Sequence, residues 1–319
     1  MLFRSAGVKI GVLSDSANYY EDSRSQGELP EITILPGAFG FGTGEGTAMM
    51  EIIHDLAPDS ELYFATAFGG VASFAENIRR LYDAGCRIIV DDVIYFNESP
   101  FQDGPIAQAV NDVSAGGALY FSSAGNEGNL THNTSGTWEG DFNDAGPATF
   151  GRGGRIHSFG GADYNTVLSG GGFRRLDLFW ADPLGQSTND YDLYVLDADG
   201  NVVRSSTNIQ DGQQDPYEWI GTSTVGERVV IVKYSGDSRF LHLGAFRERL
   251  AIGTSGSTRG HNASGAPNAF CVAATRAPNP PTAFVGGVTN PVENFSSNGP
   301  RRIFFHPDGQ PITDRKSVV

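Results

Sequence analysis

Val8–Leu13 is a short, almost continuous apolar run that ends at Ser14-Asp15, the pattern of a strand buried on both faces of a parallel sheet. Ile32–Leu35 reads as a second strand. A glycine-rich approach over Gly42–Gly46 leads into a helix expected at Glu45–Leu56 and closed by Pro58. Glu61–Ala67 then reads as a strand, Val71–Ala84 as an amphipathic helix stopped by Gly85, and Arg87–Val93 as a strand ending in Asp91-Asp92. Gln102–Ala115 follows as a helix and Ala118–Ser122 as a strand running into Ala124-Gly125-Asn126. Strands alternating with helices predict an α/β fold, a parallel sheet with helices on both faces.

From about Trp138 to Ala251 the helical period disappears. Short alternating runs replace it at Arg175–Trp180, Tyr191–Asp197, Asn201–Ser205, Arg228–Lys233 and Arg239–Leu243, with turns rich in Gly, Asp and Pro between them. This predicts an all-β segment, a sandwich. After Ala251 the first texture returns at Ala266–Thr275 and Glu293–Pro300, so the β segment reads as an insertion into one larger fold.

The chain has 319 residues, 39% of them hydrophobic, enough for a sizeable core. A net charge of −15 disfavours nucleic acid and anionic membrane surfaces as partners. No stretch has the ~20 consecutive apolar residues of a membrane span. Two cysteines make no disulfide framework; Cys86 and Cys271 sit in apolar runs and are expected as buried thiols. At the ends, Leu2–Ser5 and Asp314–Val319 back-translate into near reverse complements that together resemble a sequencing adapter. Unless that match is coincidence, the native protein runs from about Ala6 to Thr313 inside a longer gene.

Three segments carry the chemistry: Lys9–Ser16 (KIGVLSDS), Gly44–Pro58 (GEGTAMMEIIHDLAP) and Ser122–Gly128 (SSAGNEG). They resemble, in order, the first-strand Asp, the active-site helix and the oxyanion Asn of the subtilase superfamily of serine peptidases. The resemblance covers roughly residues 6–137 and 252–313. It implies a three-layer subtilisin-like α/β domain, here interrupted over residues 138–251 by the sandwich, with residues 1–5 and 314–319 as adapter-derived ends. Leu178–Val203 resembles the pre-peptidase C-terminal type of β-sandwich. The resemblance further implies hydrolysis of protein or peptide substrates, no cofactor, and a secreted or extracytoplasmic location.

Acyl transfer needs a nucleophile, a base, a group to orient the base, and donors for the oxyanion. By resemblance Asp15 is the orienting carboxylate, though Ser14 intervenes where the family's Asp follows the strand directly; a solvated turn Asp is the plain alternative. Glu45 stands where subtilisins have the catalytic His and resembles the Glu base of the sedolisins, whose partner Asp one turn later is Met49 here. Otherwise Glu45 is simply favoured at a helix N-terminus. A carboxylate base with an ordinary pKa of about 4.3 suits acid pH unless burial or a like charge raises it. Asp91 and Asp92 are candidates to supply that charge or share a proton, or are ordinary loop acids. By the same resemblance Asn126 is expected to donate to the oxyanion, a contribution of about 3 kcal/mol; a turn Asn beside Gly125 is the plain alternative.

His54, nine positions beyond Glu45, falls nearly opposite on the helix. His132, His157, His242, His261 and His306 match no motif. No Ser fits the nucleophile pattern: Gly253-Thr254-Ser255 lacks the helix and Pro that should follow, and precedes Phe295-Ser296-Ser297 where the family's Ser comes after it. The nucleophile is therefore expected beyond Thr313. Asp190, Asp192, Asp197 and Asp199 can be read as a structural calcium site or as hairpin acids. The rival to a peptidase is a non-catalytic subtilase-like module that holds extended peptide without cutting it.

Overall fold

The computed structural model describes residues 5–277, 283 and 285–312; Leu2–Arg4 and Asp314–Val319, expected as adapter-derived, lie outside them. The chain forms two compact units. The first comprises residues up to Tyr95, Gly104–Ser123 and Gly260–Val272; the second comprises Phe96–Asp103, Ala124–Arg259 and the residues from Ala273 onward.

The first unit is mixed α/β. Its elements are β1 (Lys9–Ser14), α1 (Tyr20–Gln26), β2 (Thr33–Ile34), α2 (Glu45–Leu56), β3 (Glu61–Thr66), α3 (Val71–Asp83), β4 (Ile88–Asp91), α4 (Pro105–Ala115) and β5 (Leu119–Ser123). The seven-residue α1 has no apolar period of its own and was not legible in the sequence. A last strand, Ala269–Val272, pairs in parallel with β5. The six-stranded sheet runs, from one edge, Ala269–Val272, β5, β4, β1, β3, β2.

Alternation along the strands builds two cores. On one face Leu13, Ala65, Ile89 and Tyr120 pack against Phe74, Ile78 and Leu81 of α3 and Ile106 and Val110 of α4. On the other, Ile10, Val12, Leu62 and Phe64 pack against Tyr20 of α1 and Met50 of α2. Gly11 is small because Leu81 fills its side: an added Cβ would meet Leu81 at 3.0 Å. α1 and α2 cover only the β1–β3 end of their face. Phe121 and Phe270 stack at 4.9 Å at the other end, where Leu119, Phe270 and Val272 stay exposed. Cys86 is buried, and that burial pushes its thiol up to about 12. Cys271, expected to be buried, is exposed, because its strand is the sheet's edge.

The second unit is antiparallel. Its strands are β6 (Thr137–Asp141), β7 (Asp144–Pro147), β8 (Arg155–His157), β9 (Asn165–Trp180), β10 (Asp190–Leu196), β11 (Val202–Ser206), β12 (Tyr217–Ile220), β13 (Arg228–Ser235) and β14 (Phe240–Leu250), so that Ala269–Val272 is β15. The nine strands form one curled sheet, with the long β9 pairing β13 near its start, β12 near its end and β14 along most of its length. The curl brings Leu176, Leu178 and Trp180 of β9 into one core with Leu193, Val195, Val229 and Ile231. Glu293–Pro300, expected as a strand, forms none. Its backbone bonds go instead to the loop after β5, with Gly128 N–H donating to the Phe295 carbonyl (2.9 Å) and Ser297 N–H to that of Gly125 (3.0 Å). Among the described residues no helix is long and apolar enough to cross a membrane.

His157 lies wholly buried among Trp138, Phe142 and Phe159. Its Nδ1 accepts the Asn143 N–H at 3.2 Å and its Nε2 has no partner. Burial holds its pKa down, at about 4. The unfolded chain therefore takes up this proton before the folded one does, and stability is full above pH 6.5 and falls as pH drops from 6.5 to 4. The loss across that window is expected to be roughly 3 kcal/mol. Urea unfolding at pH 7 and pH 4.5 should show His157→Gln much less acid-sensitive than the parent.

Candidate functional site

β1 and β4 are neighbours whose following connections leave in opposite directions, one toward β2 and the other toward β5. Ligand sites of open α/β sheets gather at such a switch point, outside the carboxyl ends of the strands. Asp15 follows β1 there, and Asp91 and Asp92 end β4.

Asp15 is buried and its carboxylate is saturated with donors. Oδ1 accepts from the Ser16 N–H and, at 3.0 Å, the Glu45 N–H; Oδ2 accepts from the Thr43 N–H and, at 2.9 Å, its hydroxyl. The chain can approach this closely only because residue 42 is glycine: a Cβ there would lie 2.1 Å from Oδ2. Burial pushes the Asp15 pKa up, but the bonds from Thr43, Ser16 and Gly46 outweigh it and hold the carboxyl below its usual value. The Thr43, Glu45 and Gly46 amides belong to the approach and first turn of α2, donors that helix geometry leaves unpaired. Asp15 thus fixes Glu45 through its backbone. The side chain of Glu45 turns elsewhere and accepts the Ser14 hydroxyl at 2.9 Å.

Asp91 and Asp92 part company. Successive side chains on a strand point to opposite faces. Asp91 follows Ile89 onto the α3–α4 face, accepting the Ser122 hydroxyl (2.8 Å) and the Val93 N–H (3.1 Å), with His261 Nε2 at 3.3 Å. Asp92 is exposed on the opposite side, and its charge reaches Glu45. Glu45 is raised above the ordinary Glu range by desolvation, with Asp92 and Asp15 adding repulsion against the Ser14 bond. Of the two acids offered as a like charge for Glu45, Asp92 acts on it together with Asp15, while Asp91 turns inward to Ser122.

The inward cluster is what sequence reasoning missed. His261 is fully buried, edge-on to Phe74 with centroids 5.1 Å apart. Asn262 Nδ2 donates to the Ser122 hydroxyl (2.8 Å) and the Val93 carbonyl (2.9 Å). The Ser122 hydroxyl donates a hydrogen bond to the Asp91 carboxylate. No signal in the sequence joins positions 91, 122 and 261.

Asn126 lies in the second unit, exposed, three residues past β5. Its loop is pinned by the Glu293–Pro300 segment: the Glu127 N–H donates to Ser297 Oγ (2.9 Å), and Asn129 Nδ2 to the Ser296 carbonyl (3.0 Å). Ser255 precedes no α-helix; the short 3₁₀ turn Gly260–Ala263 comes next. Of the four hairpin acids, Asp190, Asp192 and Asp197 have partners of their own. Arg152 lies between Asp190 and Asp192, and Asp197 accepts from Asn201 at the β10–β11 turn. Among the described residues no group of three or more His, Cys, Asp or Glu is arranged to hold a metal ion.

No protein-family model matches this chain, and no curated protein matches it. Solved structures are similar in part. The self-cleaved protease domain of PatA matches 40% of this chain and 52% of its own length at 17% identity, with a TM-score of 0.29. The prenylagaramide maturation protease PagA matches 40% and 51% at 17% identity and a TM-score of 0.31. The PatG macrocyclase, solved with a peptide, matches 39% and 53% at 14% identity and a TM-score of 0.27. This chain spans about half the length of each. At scores this low such likeness fixes neither fold nor reaction.

Two substitutions separate the roles of the carboxylates. Asp15→Asn turns an acceptor into a donor facing the Thr43 or Glu45 N–H and should lower stability by roughly 2–3 kcal/mol at pH 7, read by urea unfolding. Glu45→Gln should do the reverse. A carboxyl with a raised folded-state pKa stabilises the fold while protonated and loses that contribution as pH rises through the folded value. The variant should therefore gain Tm at pH 7 and none at pH 3.5, where Glu45 is already neutral.

Proposed function

We propose that this chain is a fragment of a subtilase-like serine endopeptidase, with Glu45 as general base, Asp15 as the group that positions it, Asn126 as oxyanion donor, and the nucleophile on a helix outside these 319 residues. The observation that carries the reading is the meeting of Asp15, Glu45 and the charge of Asp92 at the switch point of the parallel sheet. A base must be poised near the working pH, and repulsion and desolvation lift Glu45 in that direction. The exposed Asn126 amide has no hydrogen-bond partner among the described residues, as a donor awaiting an oxyanion requires. The exposed Leu119, Phe270 and Val272 surface supports a further helix, since parallel sheets bury both faces. An inserted β domain and an extracytoplasmic location belong to the same proposal.

A second reading, a peptide-binding module without turnover, is favoured by the saturation of Asp15. Its donors are the backbone N–H groups of Ser16, Thr43 and Glu45 and the Ser16 and Thr43 hydroxyls, and none is a catalytic side chain.

The 319-residue chain is expected to leave casein intact, and the chain extended by its native downstream codons to cleave it. In the extended protein Glu45→Gln should lower kcat roughly 100- to 10,000-fold with the fold retained. Cleavage by the 319-residue chain that Ser255→Ala abolishes would overturn the proposal. An extended protein that binds casein and never cuts it would establish the second reading.

A further inference from the structure

The second unit holds a cavity of about 460 Å³ whose wall includes Asn126, Thr134, Ser169 and Phe295 together with Arg247 and Arg249 of β14. Arg247 breaks the strand. Its φ is +55°, left-handed for a residue with a Cβ, and the pairing of β14 with β9 slips between Phe246 and Glu248. A bulge re-aims a side chain at a cost in backbone strain, and such strain concentrates where a ligand is held.

The two guanidiniums are without anions. The exposed Arg247 lies over the ring of Phe246, 5.2 Å from its centroid, and among the described residues it forms no ion pair. The Nε of Arg249 is buried and has no hydrogen-bond partner, an uncompensated donor of the kind folded proteins avoid. The acids in the same wall do not serve them. Glu248 accepts from the Ser223 hydroxyl and lies 3.8 Å from Arg174, while Glu127 accepts from the Ser297 hydroxyl. Burial raises both carboxyls toward their neutral forms. With the Asn126 amide, which has no partner among the described residues, the wall of the cavity carries amide and guanidinium donors, and the fork of a guanidinium matches the two oxygens of a carboxylate.

We propose that this cavity binds a carboxylate of a polypeptide ligand, giving the chain a preference for acidic peptides next to Asn126. The inference rests on the peptidase-like reading only in taking the ligand to be a peptide. An Asp or Glu side chain and a chain terminus offer the same group, and the test separates them.

Three pentapeptides serve as probes for calorimetric titration of the 319-residue chain: acetyl-Ala-Ala-Glu-Ala-Ala-amide, its Gln counterpart, and acetyl-pentaalanine with a free C-terminus. At low salt the Glu peptide should bind at least tenfold tighter than the Gln peptide, and the margin should shrink on adding salt. Preference for the free-terminus peptide instead would keep the carboxylate site and assign it to chain ends. Arg247→Met and, separately, Arg249→Gln should each erase the margin while the near-ultraviolet circular dichroism stays that of the parent. Arg247→Gly, which relieves the strained backbone and so guards against misfolding, should erase it too. Equal affinity for the charged and neutral peptides, no binding of any, or a margin surviving both Arg substitutions would overturn the proposal. Because the readout is binding, a preference without turnover in the extended protein would sink the peptidase reading alone, and turnover without preference would sink this one.

Discussion

The carboxylate of Asp15 ties the end of β1 to the start of α2, and the rest of the candidate site hangs from that tie. Helix α2 begins at a glycine in the left-handed region, Gly44, with no side-chain cap of its own. Its leading amides would be orphans if Asp15 did not accept them from across the chain. Desolvating a carboxylate is costly, and only several charge-assisted bonds offset it. Here the surrounding donors win, so Asp15 remains an anion inside the fold. Glu45 is held in place as a consequence: its backbone is fixed by Asp15 and its side chain by Ser14.

Two adjacent aspartates meet opposite fates because a strand alternates. Asp91 joins Ser122, Asn262 and His261 in a buried polar cluster on the α3–α4 face, where it ties the returning Gly260–Ala263 turn to β4 and β5. Asp92 stays in solvent and acts on Glu45 by charge alone. One position's difference in sequence separates a structural acid from one that tunes the candidate base.

The second unit applies a different device. Its nine strands close one core by curling a single sheet, and the slip in the β14–β9 register between Phe246 and Glu248 falls in the wall of a cavity. The same unit captures the Glu293–Pro300 segment, whose backbone groups are satisfied by the Asn126 loop instead of by a ladder. That exchange explains why a run with the residues of a strand forms none.

Much of this was legible in the chain. Apolar runs and helical periods marked the parallel strands and α2 through α4, because burial on two faces leaves a strong local pattern; α2 spans the expected Glu45–Leu56. Short elements without such a pattern were not, among them α1, β7 and β8. Segments around Asp15, Glu45 and Asn126 stood out from residue type and neighbours alone. What each side chain does was decided only by tertiary structure. That Asp15 spends its oxygens on α2, that Asp91 turns inward, that Cys271 lies on an edge, and that Arg247 and Arg249 face a cavity all depend on pairings between distant positions. Sequence fixes local pattern through burial and backbone preference; hydrogen-bond partners and electrostatic neighbours come from contacts far apart along the chain, which no local pattern encodes.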